Sequence, residues 1–77
     1  MKFRVDVNAL KKLMIDNNIE TIQELEEKSG VSRNTLSKIL KGEVRPSTSV
    51  MEKLIDALNI EPVNAGSIFF VPDLRNA

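Results

Sequence analysis

The sequence contains no cysteine and no histidine. Without them the chain has no disulfide, no thiolate nucleophile, no imidazole for acid/base work and almost no means of building a zinc site. Long apolar runs are missing as well: the longest is Ile68 to Val71, far from the N-terminus. Such a run is too short to span a bilayer and misplaced for a signal peptide, so no membrane association is expected and the expected compartment is the cytoplasm. Repeats and low-complexity segments are also lacking. No alternating oxygen ligands ending in glutamate form a calcium loop, and Lys41-Gly42 lacks the glycine-rich run that cradles a nucleotide phosphate. Neither a metal nor a cofactor is expected. Glu24, Glu26 and Glu27 crowd one short stretch and read as a solvated face, because nothing offers a pocket to turn them into an acid/base pair. With no catalytic candidate, the chain is not expected to be an enzyme.

Net charge is absent too, with 11 basic and 11 acidic side chains in 77 residues. A nucleic-acid partner usually leaves a basic footprint, but here the distribution matters more than the sum. From Lys28 to Lys53 six bases face two acids, whereas Asp16 to Glu27 holds five acids and no base. The chain is therefore a dipole whose basic half coincides with its most informative segment.

That segment is Thr21 to Leu40, which reads as two short amphipathic helices hinged at a glycine. Thr21 followed three residues later by Glu24 is a capping box, and Ser32 is a second N-cap. Gly30 between them can take the left-handed conformation that ends one helix and aims the next, with Val31 plugging the angle. The spacing predicts helices over about 22–28, with Ile22 and Leu25 inward, and 33–40, with Leu36, Ile39 and Leu40 inward. The pair is a helix-turn-helix, whose second helix can lie in the major groove of DNA.

The remainder predicts an all-α bundle of about five helices. Asp6 can cap a first helix to about Asn17, with Leu10, Leu13 and Met14 on one face. Pro46 bars continuation of the third helix beyond Lys41-Gly42, and Ser47 can cap a fourth through Leu58, burying Val50 or Met51, Leu54, Ile55 and Leu58. A short fifth turn is expected from Pro62 to near Gly66. Phe3 and Val5 alternate with polar residues and Ile68-Phe69-Phe70-Val71 is β-prone up to Pro72, so the two ends are candidates for a short antiparallel β-ribbon. Such a ribbon needs the helical core or a second copy of the chain beside it. The length supports one helix-turn-helix domain over 1–77, with its core at about 7–60 and the segment 61–77 available for dimerisation through Phe69, Phe70 and Val71.

The ordered set Leu25, Ser29-Gly30-Val31-Ser32-Arg33, Thr35-Leu36-Ser37, Ile39, Gly42, Pro46-Ser47 and Asp56-Ala57-Leu58-Asn59-Ile60 resembles the Cro and lambda-repressor-type helix-turn-helix family, also called the XRE family. The resemblance covers about Val7 to Phe70. It implies a five-helix DNA-binding domain acting as a transcriptional regulator, usually as a homodimer on a palindromic double-stranded DNA operator. Two positions depart from the family's pattern: Ile22 stands where glutamine is common and Glu26 where alanine is. Glu26 is expected either to splay the two helices until its carboxylate reaches water or to meet a cation, Lys38 or Arg33.

Within the recognition helix, arginine can fork onto guanine and asparagine onto adenine, which makes Arg33 and Asn34 the expected base readers, with Ser37 and Lys38 behind them. Thr21, Ser32, Thr35, Lys41, Arg45, Ser47 and Thr48, together with the backbone amide of Gly42, are candidates for phosphate contacts, Ser32 and Thr35 serving first as caps. A competing expectation is a protein-interaction module of antirepressor or antitoxin type on the same fold, acting through a partner regulator protein. The acidic second helix and the Phe69-Phe70 segment are what favour it.

Overall fold

The computed structural model describes residues 2–74, in the order β1 (Phe3–Arg4), α1 (Val7–Asp16), α2 (Ile22–Ser29), α3 (Arg33–Leu40), α4 (Thr48–Ala57), α5 (Pro62–Phe69) and β2 (Val71–Pro72). Residues 75–77, part of the segment expected to dimerise, lie outside that range.

Each of the first four helices starts where the sequence supplies an oxygen. Asp6 accepts from the Ala9 amide at 3.1 Å, Thr21 from Glu24 at 3.1 Å, Ser32 from Thr35 at 3.3 Å and Ser47 from Val50 at 3.2 Å. In the Thr21 box the return bond differs from the usual pattern, because the Thr21 hydroxyl donates to the Glu24 carboxylate at 3.2 Å. Three of the five helix ends, those of α1, α3 and α4, follow one scheme. Asn18, Gly42 and Asn59 take positive φ values of 59°, 76° and 53°, and each is followed by a residue whose amide reaches back to the last turn: Ile19 to Met14, Glu43 to Lys38 and Ile60 to Ile55. These are Schellman closures that satisfy the orphan carbonyls, and Ile19 and Ile60 go on to bury themselves in the core.

The core gathers Leu10 and Met14 from α1, Leu25 from α2, Val31 from the turn, Leu36 and Ile39 from α3, Leu54, Ala57 and Leu58 from α4 and its cap, and Ile68 and Phe69 from α5. The inward stripes expected for the first four helices are the ones observed, with Val50 and Met51 both half-buried. A polar lock, legible only in the structure, ties two helix ends together. Asn17, the C-cap of α1, donates through Nδ2 to the carbonyls of Leu13 and Leu58 at 2.8 and 2.9 Å, and Asn59 donates to Asn17 Oδ1 at 2.7 Å.

The C-terminal segment differs from expectation. The fifth helix does not close near Gly66 but runs to Phe69, placing Ile68 and Phe69 in a helix and leaving only Val71 and Pro72 to the strand. The reason is periodicity: Ala65, Ile68 and Phe69 lie at helical spacing on one face and pack into the core, while Gly66 sits on the solvent side with a negative φ and open space about it. The ribbon itself forms. β1 and β2 pair antiparallel with Phe3 opposite Pro72 and Arg4 opposite Val71, flanked by bonds from the Asp73 amide to the Lys2 carbonyl and from the Asp6 amide to the Ile68 carbonyl. Pro72 does not halt the strand. It occupies an edge position, where a missing amide hydrogen costs little.

Gly66→Ala is expected to stabilise the protein by about 0.5–1 kcal/mol, raising the melting temperature by roughly 2–8 °C, because a Cβ there meets nothing and the unfolded chain loses freedom. A calorimetric melt checks this; an unchanged or lower temperature would show that the glycine serves some purpose other than chain geometry.

Candidate nucleic-acid interface

The platform for the site is the turn between α2 and α3. Gly30, at φ 77° and with nothing within 4 Å of an added Cβ, is required for its backbone alone. Val31 is buried beneath the turn, and its amide donates to the Ser29 hydroxyl at 3.1 Å. Leu36 and Ile39, each 1 % exposed, fix the rotation of α3 about its axis. That rotation decides what the helix offers outward.

Arg33, Asn34, Lys38 and Lys41 are all exposed, and Ser37 is half-buried between them. Asn34, Ser37, Lys38 and Lys41 follow the i, i+3, i+4, i+7 spacing of one helical face, and Arg33 flanks it at the N-terminal end. Among the described residues, none of these five side chains has a hydrogen-bond or ion-pair partner within the chain. The four residues expected to read bases are therefore brought together on one open, basic helix face.

The expected phosphate residues divide. Thr21, Ser47 and Thr48 are exposed at the N-termini of α2 and α4. Ser32 and Thr35 are engaged with each other, the Ser32 hydroxyl donating to Thr35 Oγ1 at 2.9 Å beside the cap bond it accepts from the Thr35 amide. The Gly42 amide is not free for phosphate, since it donates to the Ile39 carbonyl at 3.0 Å within the closure of α3. Arg45 turns away from α3 altogether. Its guanidinium donates to the Phe69 carbonyl at 2.9 Å and lies 4.8 Å from the centre of the Phe70 ring, a cation–π contact. Phe70 in turn meets Phe3 edge to face, centroids 5.9 Å apart. Arg45 thus latches the loop after the recognition helix to the C-terminal segment.

The dimerisation residues divide likewise. Phe69 is 1 % exposed and seals the core, so it has no surface to give a partner; Phe70 is exposed and Val71 half-buried. Glu26 does not meet the expected cation: among the described residues neither Lys38 nor the Arg33 guanidinium pairs with it, and its Oε2 accepts the backbone amide of Arg33 at 2.8 Å. The only sequence signal for this bond was a carboxylate standing where a small residue is common, facing a helix start two turns away.

Two helices of eight residues, joined by a left-handed glycine and an apolar plug, with a basic unpartnered face on the second, define a helix-turn-helix protein. The model of the Cro/C1-type HTH DNA-binding domain matches residues 9–63, most of the chain, and the protein belongs to that family. No curated protein and no solved structure gives a significant match. Membership supports DNA binding and a part in regulation. No helix among the described residues is long and apolar enough to cross a membrane.

Proposed function

We propose that this protein is a sequence-specific regulator of repressor type that binds double-stranded DNA as a homodimer on a palindromic operator. The observation that carries the reading is the outward face of α3, where Arg33, Asn34 and Lys38 are held in place by Leu36 and Ile39 and have no partner among the described residues. Arg33 and Asn34, at the end of the helix that enters the groove, read guanine and adenine, with Ser37 and Lys38 reaching adjacent positions. Lys41, Thr21 and the open first turn of α4 with Ser47 and Thr48 hold the phosphates on either side. The α4 end suits an anion best, having no acidic residue in its first turn whereas α2 has Glu24.

The single recognition helix of each copy supports the dimer. One copy is 36 Å in its longest extent and carries a single recognition helix, so it reads one half-site; two half-sites about 34 Å apart need two copies. Phe3 and Phe70, exposed beside the open edges of the ribbon, supply a surface for the second copy.

The test is selection from randomised duplex DNA at about 0.1 M salt, where sequence-independent attraction is partly screened. Enrichment of a two-fold symmetric sequence is the expected result. No enrichment, with the protein sedimenting as a monomer beside DNA, would overturn the reading. The exposed Phe3–Phe70 pair and the acidic α2 favour one alternative, a module that captures a partner regulator. Salt separates the two, because DNA binding weakens steeply between low and physiological salt while apolar capture barely responds.

A further inference from the structure

The Glu26–Arg33 bond is the one hydrogen bond joining α2 to α3 among the described residues, and it delivers a carboxylate to the positive end of the recognition helix. The starts of α2, α3 and α4 are not equivalent. Each has a hydroxyl cap on its third amide, from Thr21, Ser32 or Ser47, but only α3 has a second, charged acceptor from another helix on its first amide. A bare helix N-terminus is a general seat for anions, and on DNA the anion always within reach is a phosphate. At α3 that seat is already filled from within.

We infer that Glu26 is a specificity-determining residue that denies the N-terminus of the recognition helix to DNA phosphates. The inference rests on the DNA-binding reading above. In sequence-independent complexes nearly all attraction comes from phosphates, and the end of α3, beside Arg33, would be a strong place to seat one. Glu26 removes that option in every misaligned register. In the matched register the same end points at base edges, farther from the phosphates, so its negative charge opposes less of the binding there. The carboxylate therefore costs random binding more than operator binding. A chain with no net positive charge gains its discrimination partly by subtracting from the background.

The experiment compares wild type, Glu26→Gln and Glu26→Ala on a random duplex and on the selected sequence across a salt series. Glutamine keeps an oxygen for the Arg33 amide and loses the charge, so the fold and the helix junction are retained. Glu26→Gln is expected to bind random duplex roughly two- to fivefold more tightly. Its log–log salt slope should steepen by about 0.9, the signature of one more neutralised phosphate. Operator affinity should change less, so that the ratio of the two falls, and Glu26→Ala should show the same shift in slope despite losing the hydrogen bond. Unchanged random binding and slope in Glu26→Gln would overturn the inference, as would an equal gain on both duplexes, which is a bulk charge effect. Wild type that binds no duplex at low salt would instead remove the DNA-binding reading itself, and this one with it.

Discussion

Phe69→Ala is expected to destabilise the protein by about 3–5 kcal/mol, comparable to the whole stability of a small domain. Phe69 is among the largest fully buried side chains, 1 % exposed, and it is the element of α5 that closes the floor of the bundle. Truncation removes the transfer energy of a ring and leaves a cavity that helices pinned by their own caps cannot collapse to fill. The neighbouring Phe70→Ala is the internal control. Phe70 is 46 % exposed, its ring meeting Phe3 and the Arg45 guanidinium, so its loss should cost no more than about 1.5 kcal/mol. Urea denaturation of both variants checks the contrast. Equal midpoints would mean that the C-terminal helix contributes little to the core. In the proposed dimer Phe70 is also the aromatic offered to the second copy, so a variant of near-normal stability that sediments as a monomer would locate the dimer contact at the same time.

Arg33→Ala with Asn34→Ala should abolish discrimination while leaving the fold intact. Each bidentate base contact is worth about 1–3 kcal/mol, so the double variant should lose roughly 30-fold or more in preference for the selected sequence over random DNA. Both side chains are exposed and unpartnered, and the caps at Ser32 and Glu26 do not use them, so the melting temperature should stay within a few degrees of wild type. Lys41→Ala should behave differently, weakening binding to all sequences alike and making the salt slope shallower by about 0.9. If the double variant kept its preference, the sequence would have to be read by residues other than Arg33 and Asn34.

The parts of this molecule written in short-range code were legible in the sequence. Asp6, Thr21, Ser32 and Ser47 announce helix starts because the oxygen and the amide it serves are three residues apart, and Gly30 announces the turn because only its backbone matters. The outward face of α3 followed from the inward one. What escaped were contacts between residues far apart in the chain. Arg45 has an ordinary loop composition around it, and nothing local says that its guanidinium will meet the Phe69 carbonyl. Asn17 and Asn59 lie 42 residues apart, and only the fold places them side by side. The β-branched and aromatic run at Ile68–Val71 misled in a different way: strand propensity competed with the helical stripe of Ala65, Ile68 and Phe69, and core packing decided for the helix. Glu26 belongs to both groups, visible as a departure from the family's pattern yet with a partner that only the folded helix junction reveals.

The β1–β2 ribbon has a consequence for the order of events in folding. α2 packs on α3 and α4 within residues 22–57, whereas the ribbon and the Asp6–Ile68 bond close a loop around nearly all of the chain. Closing so long a loop is entropically costly and is rewarded only once the bundle beneath exists. The helix-turn-helix should therefore consolidate first and the ribbon last, so that changes to Phe3, Phe70 or Arg45 accelerate unfolding and leave the refolding rate untouched. The clasp made by the two strands acts on the lifetime of the folded protein, and the speed with which it is reached belongs to the helices.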